Sequence, residues 1–504
     1  MTVKRKIDTL IAEWKSNKLW GSLSLCWLAT VFFSFFGHHV LRVTVPGLGS
    51  MFPFRFLLPV TALLYILWAV RERENPWKDA SALEKWVYLF IGVLIVYGAV
   101  SLIWAIDLRH SFDKLFNLCL DLCFFYLMLR LCKDKRLLRS TLRIIAVALL
   151  VMVAMGVYEV FFSGIFLDGY DDYVSAYFFG IPCRFPVASL RNANDYSSML
   201  LFTATAVFLL WVRDPEQITR RKLWTVILLS PLILFLIEAD SARLCKVGFI
   251  ILFTGVLIWF LCRGRRLLWI PTVMLALILC VYLGFHFDSL SSFLSNSSPN
   301  SSSNSSPNSS PNSSSNSSSN SSSNSLPLYE QFFSVDEETG EVELRSRGSA
   351  GVRAHLLLHA FNCFRESYGL GVGLGNTETL AAQRAVVPKW ENKPQNSIHC
   401  FVARIIGDYG LFVAIPLCAI AFLLLKQVWE LLVAAIREKD RPALGLPLLF
   451  FFVLLAYPFV STASSDAQDI ISMWIYLAAL VLFSVNLKAN PRKEEYSPAG
   501  QGLS

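Results

Sequence analysis

The 504-residue chain is 55% hydrophobic and only 16% charged, with a mean hydropathy of +0.51. A water-soluble protein of this length needs more charge to coat its surface, and its apolar residues recur in short periodic runs, so the composition excludes a soluble globular enzyme. The net charge of +8 does not point to nucleic acid either, because the basic residues fall in short clusters between apolar blocks, which is how topology signals are arranged.

Those blocks are long enough to cross a hydrocarbon core of ~30 Å, which takes roughly 20 residues of helix. In chain order they lie near 19–37, 51–70, 86–105, 113–131, 138–162, 195–212, 223–238, 245–262, 267–286, 399–425, 445–462 and 470–486. The expected fold class is all-α, a polytopic membrane protein with about 12 transmembrane helices. Residues 1–286 form an N-terminal bundle of about nine spans, 287–398 a larger periplasmic loop region, 399–486 the C-terminal spans and 487–504 a tail. Lys4, Arg5 and Lys6 precede the first apolar run without a small-residue cleavage site, the pattern of a retained anchor rather than a signal peptide.

Taking the connecting segments alternately separates two sets. One holds Lys15 and Lys18; Arg71, Arg73, Lys78 and Lys85; Lys133, Lys135, Arg136 and Arg139; and Arg213, Arg220, Arg221 and Lys222. It continues with Arg263, Arg265 and Arg266, then Lys426, Arg437, Lys439 and Arg441, and ends on Lys488, Arg492 and Lys493. The other set is poor in lysine. The positive-inside rule therefore puts both termini in the cytoplasm and the opposite segments outside a bacterial inner membrane.

The outward segments are 163–194, the short turn 239–244 and the long stretch 287–398. Within the last, 291–325 is almost entirely Ser, Asn and Pro, a composition that buries no apolar area and reads as a disordered tether. Its N-x-S sequons carry little weight. Residues 348–367 read as an amphipathic helix, with Leu356, Leu357, Ala360, Phe361 and Phe364 on one side, suited to the membrane surface or to roofing a cavity. The eleven cysteines form no CxxC pair, so neither zinc nor a redox site is indicated. Cys183 and Cys363 both fall outside the expected spans, where a disulfide between them is an open alternative that spacing alone does not support.

Cations in the outward set are rare and need explanation. Arg184 and Arg191 sit in CRFPVASLRNANDYSSM, Arg243 in EADSARL, Arg353 opens the amphipathic helix, and His399 begins PQNSIHCFVARIIGDYG. Each has a bland reading: an arginine at a helix end snorkels to headgroups or pairs with a carboxylate, and a lone histidine at a span boundary is usually a satisfied interface residue. Arg55, Arg109 and Arg404 are left in that class, and Asp195 and Asp240 as structural counter-ions. Against this stands convergence on one face, since interfacial charge in an apolar protein is costly without a partner or a task. Arginines suit a pyrophosphate because the guanidinium fork donates two hydrogen bonds and stays charged in a partly dry site. Histidine suits proton transfer near neutral pH.

Five stretches, in order, resemble the O-antigen ligase and O-antigen polymerase superfamily. SLIWAIDLRHSFDKL resembles its S-x-x-W-A stretch; RNANDYSSMLL its N-P-N signature, with Ala193 for the proline; and DSARL its S-R turn, with Ala242 inserted. RAHLLLHAFNCFRESYGLGVGLGN resembles the arginine-led glycine block that closes on Gly369, Gly371, Gly373 and Gly375. HCFVARIIGDYGLFVAI resembles the block that opens on His399 and closes on Gly410, with Cys400 in place of an Asn and Asp408 near the usual acid.

The resemblance implies a glycosyltransferase that uses no metal and no other cofactor. Such an enzyme moves a glycan from undecaprenyl pyrophosphate to an acceptor hydroxyl, and membrane lipids surround it. Arg243 and His399 would be catalytic, with Arg184 or Arg191, Arg243 and Arg353 on the pyrophosphate. The acceptor separates three activities: lipid A-core for a ligase, another lipid-linked repeat for a polymerase, a pilin-like hydroxyl for a protein O-oligosaccharyltransferase. The modest outer region, once its tract is set aside, favours the ligase. The glycine run either approaches a sugar or phosphate or is a plain flexible loop; it lacks the Lys-Ser or Lys-Thr of a P-loop. A lipid flippase or transporter is the reading from another class, though no half-to-half similarity is visible.

Overall fold

The computed structural model describes residues 18–36, 43–45, 49–162, 174–190, 192–212, 220–263, 269–287, 333–335, 342–344, 349–386, 398, 400–464 and 470–488. The Ser/Asn/Pro tract, Arg191 and His399 lie outside the described residues. The first half of the chain gives α1 (Lys18–Phe33), α2 (Pro53–Arg71), α3 (Ala82–Ser101), α4 (Leu108–Leu131), α5 (Lys135–Phe161) and α6 (Ala193–Val212). There follow α7 (Arg220–Ala239), α8 (Arg243–Cys262), α9 (Trp269–Phe285), α10 (Ser349–Glu366), α11 (Asn376–Gln383), α12 (Phe401–Tyr409), α13 (Leu411–Arg437), α14 (Arg441–Ala463) and α15 (Ile471–Lys488). Three antiparallel hairpins lie between helices: β1 (Val43–Val45) with β2 (Gly49–Met51), β3 (Val174–Phe178) with β4 (Ile181–Arg184), and β5 (Phe333–Val335) with β6 (Val342–Leu344).

Among the described residues, seven helices are long and apolar enough to cross a membrane: α2, α3 with the 3-10 turn that follows it, α5, α6, α8, α13 and α14. Shorter apolar helices stand at Lys18–Phe33, Leu223–Ala239, Trp269–Phe285 and Ile471–Val485. The architecture is that of an all-α, multi-pass membrane protein. Helix starts are fixed by the residues where apolar runs meet polar ones. Ser81 and Glu84 form a reciprocal capping box on α3, and Asp107, Asp134 and Asp440 cap α4, α5 and α14 with their carboxylates. Each cap satisfies backbone N–H groups that the apolar phase cannot.

The centre of the bundle is α6 packed against α15. Of the apolar window of α6, 78% is buried inside the protein, which is why it tolerates Ser197, Ser198, Thr203 and Thr205 within its length. The closest helix pair is α8 with α14. Added Cβ atoms at Gly248 and Gly255, one heptad apart, would lie 2.6 Å from Val460 Cγ2 and 2.7 Å from Phe452 Cβ. Small residues let backbones approach where lipid supplies no hydrophobic drive.

The two sets of connecting segments meet among themselves. On the basic side Arg130 binds Glu74 and the Tyr88 hydroxyl, Lys133 reaches Glu84 at 2.6 Å, and Trp224 lies 5.4 Å from Trp269. On the other, here termed the loop face, Trp104 Nε1 donates to the Val372 carbonyl (3.1 Å) and Ser464 Oγ to Asp195 (2.7 Å).

One expected element is corrected. The block 399–425 is not one helix: α12 stops at Tyr409, and α13 starts at Leu411 and runs on to Arg437. Gly410 breaks the run with φ +63°, and a Cβ there would stand 2.2 Å from the Gly369 carbonyl oxygen. The glycine loop takes over the free carbonyls of α12, with Val372 N donating to Gly407 O and Gly373 N to Asp408 O, both at 2.9 Å. Irregular backbone at such a depth is tolerated because protein, not lipid, satisfies it.

Candidate functional site

Two charged clusters lie on the loop face. The first is built on the glycine loop. Asp408, fully buried, accepts from Gly375 N (3.2 Å), Thr377 N (3.1 Å) and Thr377 Oγ1 (2.5 Å), so it caps the first turn of α11. Ser101 Oγ accepts from Leu374 N (3.1 Å), and Asn376 Oδ1 from Ile106 N (3.0 Å). Arg404, 1% exposed, lies 3.5 Å from Glu378 and 3.7 Å from Asp408; His110 and Lys114 reach the other side of Glu378 at 3.3 and 3.5 Å.

Three motif segments far apart in sequence are thereby locked into one scaffold. Arg404 is paired with carboxylates, as its bland reading has it. The glycines are neither a phosphate cradle nor a free loop. At Gly371 (φ +85°) a Cβ would sit 2.5 Å from the Asp408 carbonyl and from Gly410 N, so the loop's close approach is to protein backbone.

The second cluster gathers at the starts of α6, α8 and α10 and the end of α14. Arg353, half-buried on the second turn of α10, donates from Nη2 to the Ala463 carbonyl (3.3 Å). Burial pushes its pKa below the ordinary arginine value, without removing its charge near neutral pH. Arg243 is the first residue of α8 and is exposed. Asp240, 4% exposed in the turn before it, accepts from the Ser197 hydroxyl of α6. Ser198 Oγ lies 3.5 Å from Cys245 Sγ, and Cys245 in turn feels the charges of Asp240, Arg353 and Asp195. Burial drives the Asp240 carboxyl up to about 7, with Asp195 adding to the rise and Ser197 and Lys246 opposing it. Three helix N-termini open here, and the helix dipoles add partial positive charge suited to an anion.

The predicted residues divide accordingly. Arg353 joins the turn that carries Arg243. Arg184, on β4, points its guanidinium at the Phe162 carbonyl, the end of α5, where a cation complements the helix dipole. Arg191 and His399 lie outside the described residues. The residue after the latter, Cys400, acts electrostatically on Tyr457, roughly two turns before Ala463 on α14. Arg55 donates to Asn117 Oδ1 at 2.7 Å and lies over the Phe52 and Phe116 rings. Cys183 and Cys363 are both free thiols, buried and unbridged.

The amphipathic stripe also splits. Leu356 and Ala360 face the protein, while Leu357 and Phe361 are exposed. The 100° step per residue puts neighbouring members on different sides.

Sequence reading missed two contributors. Glu159, 1% exposed at the end of α5, accepts from Val187 N (2.9 Å) and Ala188 N (2.5 Å) and so pins the chain before α6; an acid inside an apolar run was the available signal. Lys246, one turn into α8, binds Glu238 across the turn; it fell just inside an expected span. Further along the same helices an apolar cleft opens between α5, α6, α7, α8 and α14, lined by Leu201, Leu229, Ile233, Phe249, Leu252 and Phe253. Phe249 follows Cys245 by one helical turn, ~6 Å along α8. The charged site and the cleft share helices.

Cations gather at one face of a multi-pass membrane protein, at the ends of helices that also line an apolar cleft. Residues 239–418 match the family model described as O-Antigen ligase, in keeping with the motif resemblance, and this segment holds Arg243, Lys246, Arg353, His399, Arg404 and Asp408. Over 457 residues, 89% of this chain and 81% of the relative, the sequence is 20% identical to "Teichuronic acid biosynthesis protein TuaE" of Bacillus subtilis (strain 168).

Proposed function

We propose that this protein transfers a glycan from undecaprenyl pyrophosphate to an acceptor hydroxyl, with lipid A-core as the acceptor, at the periplasmic face of the bacterial inner membrane. The family match supports a glycan-transfer role. The observation that carries the finer reading is that Arg353 and the Arg243 turn stand at the loop-face ends of helices α8 and α14, which further along line an apolar cleft. The pyrophosphate lies on the guanidinium groups and helix N-termini, and the polyprenyl tail enters between helices. About a dozen spans with both termini cytoplasmic, as the basic segments require, put this face outside.

Pyrophosphate is already a good leaving group, so catalysis requires charge stabilisation and a base. Fixed cations aimed at the growing negative charge act in a partly water-excluded site, where such contributions are largest. His399 takes the acceptor proton, worth ~100- to 10,000-fold. Arg191 approaches the same head group, and Arg184 holds the preceding hairpin.

A second reading rests on the relative named for teichuronic acid biosynthesis: a polymerase, whose acceptor is another lipid-linked repeat. Profiling surface glycans of a deletion strain separates the two. Loss of the whole ladder from the core, with lipid-linked polymer accumulating, supports the ligase; a core bearing one repeat supports the polymerase. Near-normal transfer by both His399→Ala and Arg243→Ala refutes the site assignment.

A further inference from the structure

The turn between α7 and α8 holds more charge than an arginine site needs. Three cations, Arg243, Lys246 and Arg353, share this corner with three carboxylates, Asp195, Glu238 and Asp240. A pyrophosphate brought to such a site meets one cation, Lys246, already paired with a carboxylate, so engaging it requires an exchange of partners. The pair placed for exchange is Lys246 with Glu238. Lys246 stands three residues beyond Arg243, on a neighbouring face of the same helix, and its side chain is 27% exposed. Glu238 is 6% exposed and held on α7. Lysine is a flexible point charge on a four-carbon stem, whereas the short, buried glutamate cannot follow it. Lys246 also acts on Asp240, which places the ammonium within reach of the cluster.

We propose that Lys246 is a third pyrophosphate-binding cation, kept in reserve by Glu238, whose carboxylate occupies the place that a phosphate oxygen takes when the donor arrives. Lys246 passes from Glu238 to the phosphate, leaving Glu238 against the α8 N-terminus. This rests on the lipid-pyrophosphate reading given above. It differs from a simple clamp, in which the Lys246–Glu238 pair only ties α7 to α8.

The two accounts separate in the full-length protein in detergent, with farnesyl pyrophosphate as probe and its dissociation constant and the melting temperature as readouts. Lys246→Gln weakens probe binding about tenfold, the loss of one charge-assisted contact. Glu238→Gln tightens it about threefold, because the competing anion is gone. The exchanged pair, Lys246→Glu with Glu238→Lys, restores the clamp and the melting temperature without restoring affinity. If both single variants lower the melting temperature, leave probe affinity within twofold of wild type and are rescued by the exchange, the pair is a clamp and the proposal fails. A wild-type protein that transfers glycan while Lys246→Gln binds the probe normally defeats this inference alone. A wild-type protein that neither binds the probe nor transfers glycan removes the donor assignment, and the inference with it.

Discussion

The two clusters on the loop face use the same residue types to opposite ends. Around Asp408 the central charges, Asp408, Arg404 and Glu378, are enclosed by protein, and Asp408's partners are backbone amides, a threonine and the Glu378–Arg404 network. Around Arg353 the arginines keep some exposure, sit at helix starts, and share helices with an apolar cleft. A buried, satisfied network fixes shape, while partly exposed cations at converging N-termini attract an anion. Charge density alone does not mark a site; what matters is whether the charges are already spoken for.

The comparison breaks first if the scaffold proves dispensable. Asp408→Ala leaves Arg404 buried beside a single carboxylate and frees two amides of the α11 cap. It should destabilise the fold by ~3–5 kcal/mol, seen as a fall in melting temperature and in yield from the membrane. Unchanged melting would mean that Asp408 belongs with the chemistry.

Arg353→Ala should do the reverse, leaving a folded protein whose transfer rate falls by ~100- to 1,000-fold, the scale of removing one charge-stabilising group. Arg353→Lys should recover only part of it, since lysine lacks the planar fork. A melting-temperature loss equal to that of Asp408→Ala would merge the two clusters into one scaffold.

The smallest effect concerns pH. Asp240, driven up to about 7 by burial, is largely neutral at pH 6 and ionised at pH 8. Because its folded value lies above the ordinary one, its contribution to stability is full in acid and fades as pH rises through about 7. Melting temperature and affinity for a prenyl pyrophosphate should therefore both be higher at pH 6 than at pH 8, affinity by a few-fold. Asp240→Asn should flatten both slopes; an unaltered slope would point to another group.

Hydropathy made most helices legible, because apolar length is a local property of the chain. The break at Gly410 was not, since it comes from the backbone of residues 369–373 approaching from another segment. The same limit governed the site. Arg404 and Arg353 look alike in sequence, each an arginine near a helix end, and only folding shows that Glu378 and Asp408 neutralise the first. Arg184 and Arg191 are alternatives for the pyrophosphate in the sequence, and only folding shows the Arg184 guanidinium at the end of α5. Lys246 hid inside an apolar run because its counter-ion, Glu238, closes a ring across the turn.

The most direct test is reconstitution. Wild-type protein in sealed vesicles, given an undecaprenyl-pyrophosphate glycan, an acceptor and no ion gradient, should release the lipid pyrophosphate and yield joined glycan. The Arg243→Ala, Arg353→Ala double variant, equally folded, should yield almost none. Equal product from both, or movement of the lipid-linked glycan across the bilayer without transfer, would contradict the account.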